Sequence, residues 1–83
     1  MKLRYFAWVR ERVGLGEEEA ELPPGIVTVA DLLGWLPTRG EGYAHAFEVV
    51  GVIRVAVDKV HAKPSASLAG AREIAFFPPM TGG

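Results

Sequence analysis

The chain reads as a single α+β domain, a mixed sheet with one main helix packed across one face. Three observations predict this class. Several short runs are β-branched or aromatic and alternate in polarity. One segment alone carries a sustained apolar stripe at helical spacing. At 83 residues the chain has room for one modest core, which a sheet and a single crossing helix fill most simply.

Leu3–Val9 reads as the first strand, with Leu3, Tyr5, Ala7 and Val9 on one face and Phe6 and Trp8 on the other. Gly14 and Gly16 break the chain, and Glu17–Leu22 follows as a second, mostly exposed strand. Its three consecutive glutamates read as a solvated face. Pro23-Pro24-Gly25 is a turn.

Thr28 is placed to cap a helix, with Asp31 three residues on in a capping-box position, though shorter than the usual glutamate. Val29, Leu32, Leu33 and Leu36 form the apolar stripe, and Pro37 stops the helix. Thr38–Gly42 reads as a loop, and Tyr43–Glu48 as a short helical turn. Val52–Val57 is a buried strand, Asp58-Lys59 a turn and Val60–Ala62 a short returning strand. Lys63–Gly70 is a loop anchored by Leu68. Glu73–Phe77 is the last strand, ended by Pro78-Pro79 because proline donates nothing to a ladder. One domain is expected over residues 1–79, with residues 80–83 as a flexible Gly-Gly tail.

The composition excludes several functions. With a net charge of −1 and singly scattered Lys and Arg, no basic patch is available to neutralise phosphates, so no nucleic-acid partner is expected. No run approaches the roughly 20 apolar residues needed to span a bilayer. The charged start Met1-Lys2-Leu3-Arg4 lacks a signal-peptide pattern, which makes the cytoplasm the expected location. Cysteine is absent, so disulfides, thiolate nucleophiles and Cys-based metal sites are all excluded. His45 and His61 are far apart and read as surface or packing residues. Gly14-Leu15-Gly16 is too short to cradle a phosphate. A self-contained enzyme is therefore disfavoured, because no nucleophile–base pair or ligand cluster is found.

The end of the chain offers different chemistry. Pro78 and Pro79 stiffen the exit from the last strand. Met80-Thr81-Gly82-Gly83 could then reach ~14 Å from the body. Gly82 and Gly83 keep the backbone thin enough for a narrow channel in another protein. On this reading a carboxylate stands at the tip, on Gly83. A partner that converts it with ATP to an acyl-adenylate makes it an electrophile. A sulfur donor then displaces AMP and leaves a thiocarboxylate, a sulfur nucleophile in a chain without cysteine.

The run Phe76-Phe77-Pro78-Pro79-Met80-Thr81-Gly82-Gly83 resembles the C-terminal signature of the small subunit of molybdopterin synthase, a ubiquitin-like sulfur carrier family. Leu3–Glu11, Thr28–Leu33, Val55-Ala56-Val57 and Gly70–Phe77 resemble other segments of that family. Asp58, where the family often has Asn, and Gly70-Ala71-Arg72-Glu73, where it often has Gly-Asp-Glu, depart from its pattern in turns away from the tail.

The resemblance implies a β-grasp fold with the first and last strands parallel in mid-sheet. It implies that an E1-like adenylyltransferase activates Gly83 with ATP and that a sulfur relay forms the thiocarboxylate. The tail then enters the large subunit of molybdopterin synthase and gives sulfur to cyclic pyranopterin monophosphate, building the molybdopterin dithiolene in a heterotetramer. The chain is then a non-catalytic carrier and co-substrate that binds no cofactor or metal of its own. Phe76, Phe77, Pro78, Pro79, Met80, Thr81 and Gly82 are the expected partner-binding residues, with one of the two phenylalanines in the core. Other readings are a sulfur carrier for thiamine or tRNA thiolation, a protein modifier, and a β-grasp binding module with an inert tail.

Overall fold

A computed structural model describes residues 1–79, with Val50 described by its backbone only. The strands are β1 (Lys2–Tyr5), β2 (Glu17–Glu19), β3 (Arg54–Val57), β4 (Val60–Ala62) and β5 (Glu73–Phe77). The helices are α1 (Ala7–Val13), α2 (Val29–Trp35) and α3 (Glu41–Ala46), with 3-10 turns at Leu36–Arg39 and Val50–Val52. The sheet order is β2-β1-β5-β3-β4. β1 and β5 run parallel at its centre, and the other neighbours are antiparallel.

Alternation divides the sheet into two faces. Leu3, Tyr5, Val55, Ile74 and Phe76 point into one core with the α2 stripe Val29, Leu32, Leu33 and Leu36, and Leu68 anchors the long loop into it. Lys2, Arg4, Arg54, Glu73 and Phe77 occupy the opposite face and keep at least part of their surface. This is the β-grasp α+β architecture.

α2 starts where expected. Thr28 Oγ1 accepts from the Asp31 amide at 3.2 Å, and Asp31 Oδ2 accepts from the Thr28 amide at 3.0 Å. The shorter aspartate therefore completes the box, and a second amide, that of Val27, adds a bond at 3.1 Å. The Val27 and Thr28 amides hold the Asp31 carboxyl below the usual carboxylate range.

The strand expected over Leu3–Val9 ends at Tyr5 instead. Ala7 takes φ 52, turning the chain out of the sheet and into α1. Two pairs at i, i+4 then favour the helix: Val9 with Val13 toward the core, and Trp8 with Arg12, whose guanidinium lies 4.6 Å from the indole. Gly14, at φ 99, closes α1 with its N–H on the Arg10 carbonyl.

The second strand is shorter than expected, three residues rather than Glu17–Leu22. The stretch Thr38–Gly42 is no simple loop, since the 3-10 turn runs to Arg39 and α3 starts at Glu41. The strand expected from Val52 begins at Arg54, after a 3-10 turn. β4 and β5 have the expected bounds.

The glutamate run also divides. Glu17 and Glu19 are exposed and pair with Lys2 and the Met1 amine, each at 3.2 Å. Glu18 is largely shielded instead. Its Oε2 accepts from Tyr43 Oη at 2.6 Å, Tyr5 Oη at 2.8 Å and Arg39 Nη1 at 2.9 Å. Burial alone would raise the Glu18 pKa, but the bonds from Arg39, Tyr43 and Tyr5 outweigh it and pull it below the ordinary value. Burial, then the bond to Glu18, pushes the Tyr5 hydroxyl far up.

Candidate functional site

The site is built by β5, which lies between β1 and β3 and carries the chain toward its end. Phe76 faces Tyr5 on β1 and Val55 on β3. It is 0% exposed, stacks on Tyr5 at 5.6 Å and meets Phe47 edge-on at 5.2 Å. Phe76 is therefore the phenylalanine of the pair that lies in the core, and it offers a partner no surface.

Phe77 points to the other face, as strand alternation requires. It is half-buried, sits opposite Arg54 and packs 5.9 Å from the His61 ring. Phe6 is adjacent in the parallel pairing, because its N–H donates to the Phe76 carbonyl at 3.0 Å. The Phe6 ring is 38% exposed and lies under the Arg4 guanidinium at 5.1 Å. Arg4 also approaches Glu17 and Glu73, at 3.9 Å and 3.7 Å.

This face thus carries two accessible aromatic rings near the end of β5, Phe6 under Arg4 and Phe77 beside Arg54 and His61. Sequence reasoning missed Phe6, because its position on a strand face gave no reason to place it beside the last strand. The parallel pairing of Lys2–Tyr5 with Glu73–Phe76, just before Phe6 and Phe77, was the available signal.

Pro78 and Pro79 follow, both half-buried. The expected tail residues Met80, Thr81, Gly82 and Gly83 lie outside the described residues. Within residues 1–79 no trio of His, Asp or Glu gathers as a metal site would need, and no helix is long and apolar enough to cross a membrane.

Residues 3–83 match the ThiS family. The chain belongs to that family. It thus has the fold of the ubiquitin-like sulfur carriers. Two solved structures share it over at least 95% of each chain. SAMP1 from Haloferax volcanii matches with a TM-score of 0.72 and 27% identity, covering 100% of this chain and 98% of that one. A putative molybdopterin converting factor, subunit 1, from Pyrococcus furiosus matches with a TM-score of 0.66 and 26% identity, covering 95% of each. No curated protein matches the chain.

The family match runs through Gly83, so it takes in the tail as well as the folded body. Within the ThiS family fold, the central β5 holds a buried anchor, Phe76, and presents Phe77 on the open face.

Proposed function

We propose that the chain is the sulfur-carrier subunit of a molybdopterin synthase, working through a thiocarboxylate on Gly83. A Gly83 carboxylate oxygen attacks the α-phosphorus of ATP on an E1-like adenylyltransferase, and pyrophosphate leaves. Sulfur from a donor replaces AMP at the acyl carbon. The resulting thiocarboxylate enters the large subunit, where its sulfur replaces an oxygen substituent on a carbon of cyclic pyranopterin monophosphate and water then cleaves the acyl–sulfur bond, leaving the sulfur on the pterin and restoring the Gly83 carboxylate. Pro78 and Pro79 limit the entropy lost when Met80-Thr81-Gly82-Gly83 docks. Phe77 and Phe6, with Arg4 at their border, supply the contact surface on the folded body.

The observation that carries this reading is the family match through Gly83, joined to the run Phe76–Gly83. The likeness to the Pyrococcus furiosus converting-factor subunit supports the molybdopterin branch. A second reading keeps the same chemistry at Gly83 but feeds thiamine or tRNA thiolation. The ThiS match fits that reading as well as the first.

Complementation separates the two. The full chain is expected to restore molybdoenzyme activity to a strain lacking the small subunit of molybdopterin synthase, and a Gly83 deletion is expected not to. Rescue of a thiamine-requiring or tRNA-thiolation mutant, without rescue of the molybdopterin mutant, moves the chain to the second reading.

A further inference from the structure

We infer that the β4 edge and the apolar slot beside it receive an extended acidic peptide, added to the sheet as a sixth strand. This surface is separate from the tail, and the inference stands whichever pathway Gly83 serves.

β4 is the outermost strand on its side of the sheet. It is joined to β3 by the two-residue turn Asp58-Lys59, with φ 48 and 70, the signature of a type I′ hairpin. In such a hairpin the residues flanking the turn, Val57 and Val60, form a hydrogen-bonded pair. The next pair, Ala56 with His61, is then non-bonded, so the His61 N–H and C=O point away from β3. An added strand would bond to these groups.

Beside this edge, between α2 and the β3–β4 hairpin, lies a slot of about 340 Å³. Val29, Leu33, Ile53, Val55, Ala62 and Pro64 give it an apolar lining. A second, shallower groove shares His61, Ala62 and Lys63 with the first and extends toward Val60, which is 68% exposed. Two adjoining grooves along one strand suit alternate side chains of an extended peptide, which fall on the same face every second residue.

Charge decides what kind of peptide fits. The apolar slot opens on the α2 side, while the side chains of Arg54 and His61 stand on the opposite face, where the alternate residues of an added strand would lie; Lys63 borders both grooves, and no carboxylate lines either. Among the described residues none of these three enters an ion pair. The carboxylate of the hairpin turn, Asp58, is committed to the Arg72 and Glu73 amides at 2.9 and 3.0 Å. The opposite edge, β2, carries Glu17 and Glu19 and would repel an acidic strand. The complementary occupant alternates aliphatic and acidic residues.

The test is a titration of the isotopically labelled full chain with a short blocked peptide alternating valine and glutamate. Saturable amide shifts are expected at Val60–Lys63 and Ile53–Val55. Lys63→Glu should weaken binding by about fivefold, the scale of a rim charge pair. His61→Pro, which an edge strand tolerates, should abolish binding while leaving the rest of the spectrum in place. Equal binding by the matching valine–lysine peptide would overturn the proposal, as would binding that survives His61→Pro. Absence of saturable shifts would also overturn it, leaving Lys59 and Lys63 as guards against edge pairing. Concentration-dependent shifts at the same amides without peptide would assign the edge to a second copy of the chain instead.

Discussion

Glu18 and Arg39, 21 residues apart in sequence, meet at 2.9 Å and tie β2 to the turn after α2. Side-chain exposures of 16% and 25% shield the pair from full solvent screening. Tyr5 and Tyr43 share the same carboxylate oxygen, so four elements converge on one acceptor. Glu18→Ala leaves a guanidinium and two hydroxyls without it. The expected loss is about 2 kcal/mol in urea unfolding, with Glu18→Gln losing less.

The same carboxylate shapes the response to acid. Its folded pKa is depressed, so its stabilisation is present above the ordinary value of 4.5 and is lost as pH falls through the folded value. Asp31, held down by backbone amides, acts in the same direction. Unfolding free energy should therefore drop on acidification below 4.5, and Glu18→Gln should flatten that acid limb. A profile equally steep in the variant would assign the acid sensitivity to other groups.

At Gly42, α3 lies directly against the backbone of α1. A Cβ there would stand 2.7 Å from the Arg12 carbonyl oxygen and 3.1 Å from that of Val13. Both obstacles are backbone, so relief requires moving a helix. Gly42→Ala should cost about 2 kcal/mol of unfolding free energy despite the better helix propensity of alanine.

The hairpin turn points the other way. Lys59 holds φ 70, a conformation that costs a side chain and suits glycine. Lys59→Gly turns the pair into Asp-Gly, the preferred type I′ sequence. Thermal unfolding should show a gain of about 1 kcal/mol.

The neighbouring phenylalanines of β5 should separate stability from docking. Phe76→Ala empties the centre of an aromatic cluster and should cost about 3–5 kcal/mol, enough to unfold much of a small domain. Phe77→Ala should leave the fold near its original stability and weaken binding to the partner enzyme. Equal loss of stability in both variants would contradict the division of the two faces.

Where local chemistry dominates, the sequence was a sufficient guide. The Thr28–Asp31 box, the α2 stripe, the Asp58-Lys59 turn and the Glu73–Phe77 strand all depend on residues within a few positions of one another. α1 escaped notice because Leu3, Tyr5, Ala7 and Val9 alternate as a strand would, and only the positive φ of Ala7 breaks the run. An alanine gives no warning of that conformation. Glu18 looked like its exposed neighbours because Tyr5, Arg39 and Tyr43 reach it from 13, 21 and 25 residues away. The place of Phe6 beside the end of β5 likewise depends on the parallel pairing of β1 with β5, a relation of topology rather than of local pattern.

Intact mass after co-expression with the host activating enzyme tests the central claim most directly. The account predicts the increment for one oxygen replaced by sulfur, placed at Gly83 by fragmentation and absent from a Gly83 deletion. An unmodified chain, with active enzyme, ATP and a competent sulfur source present, would contradict it.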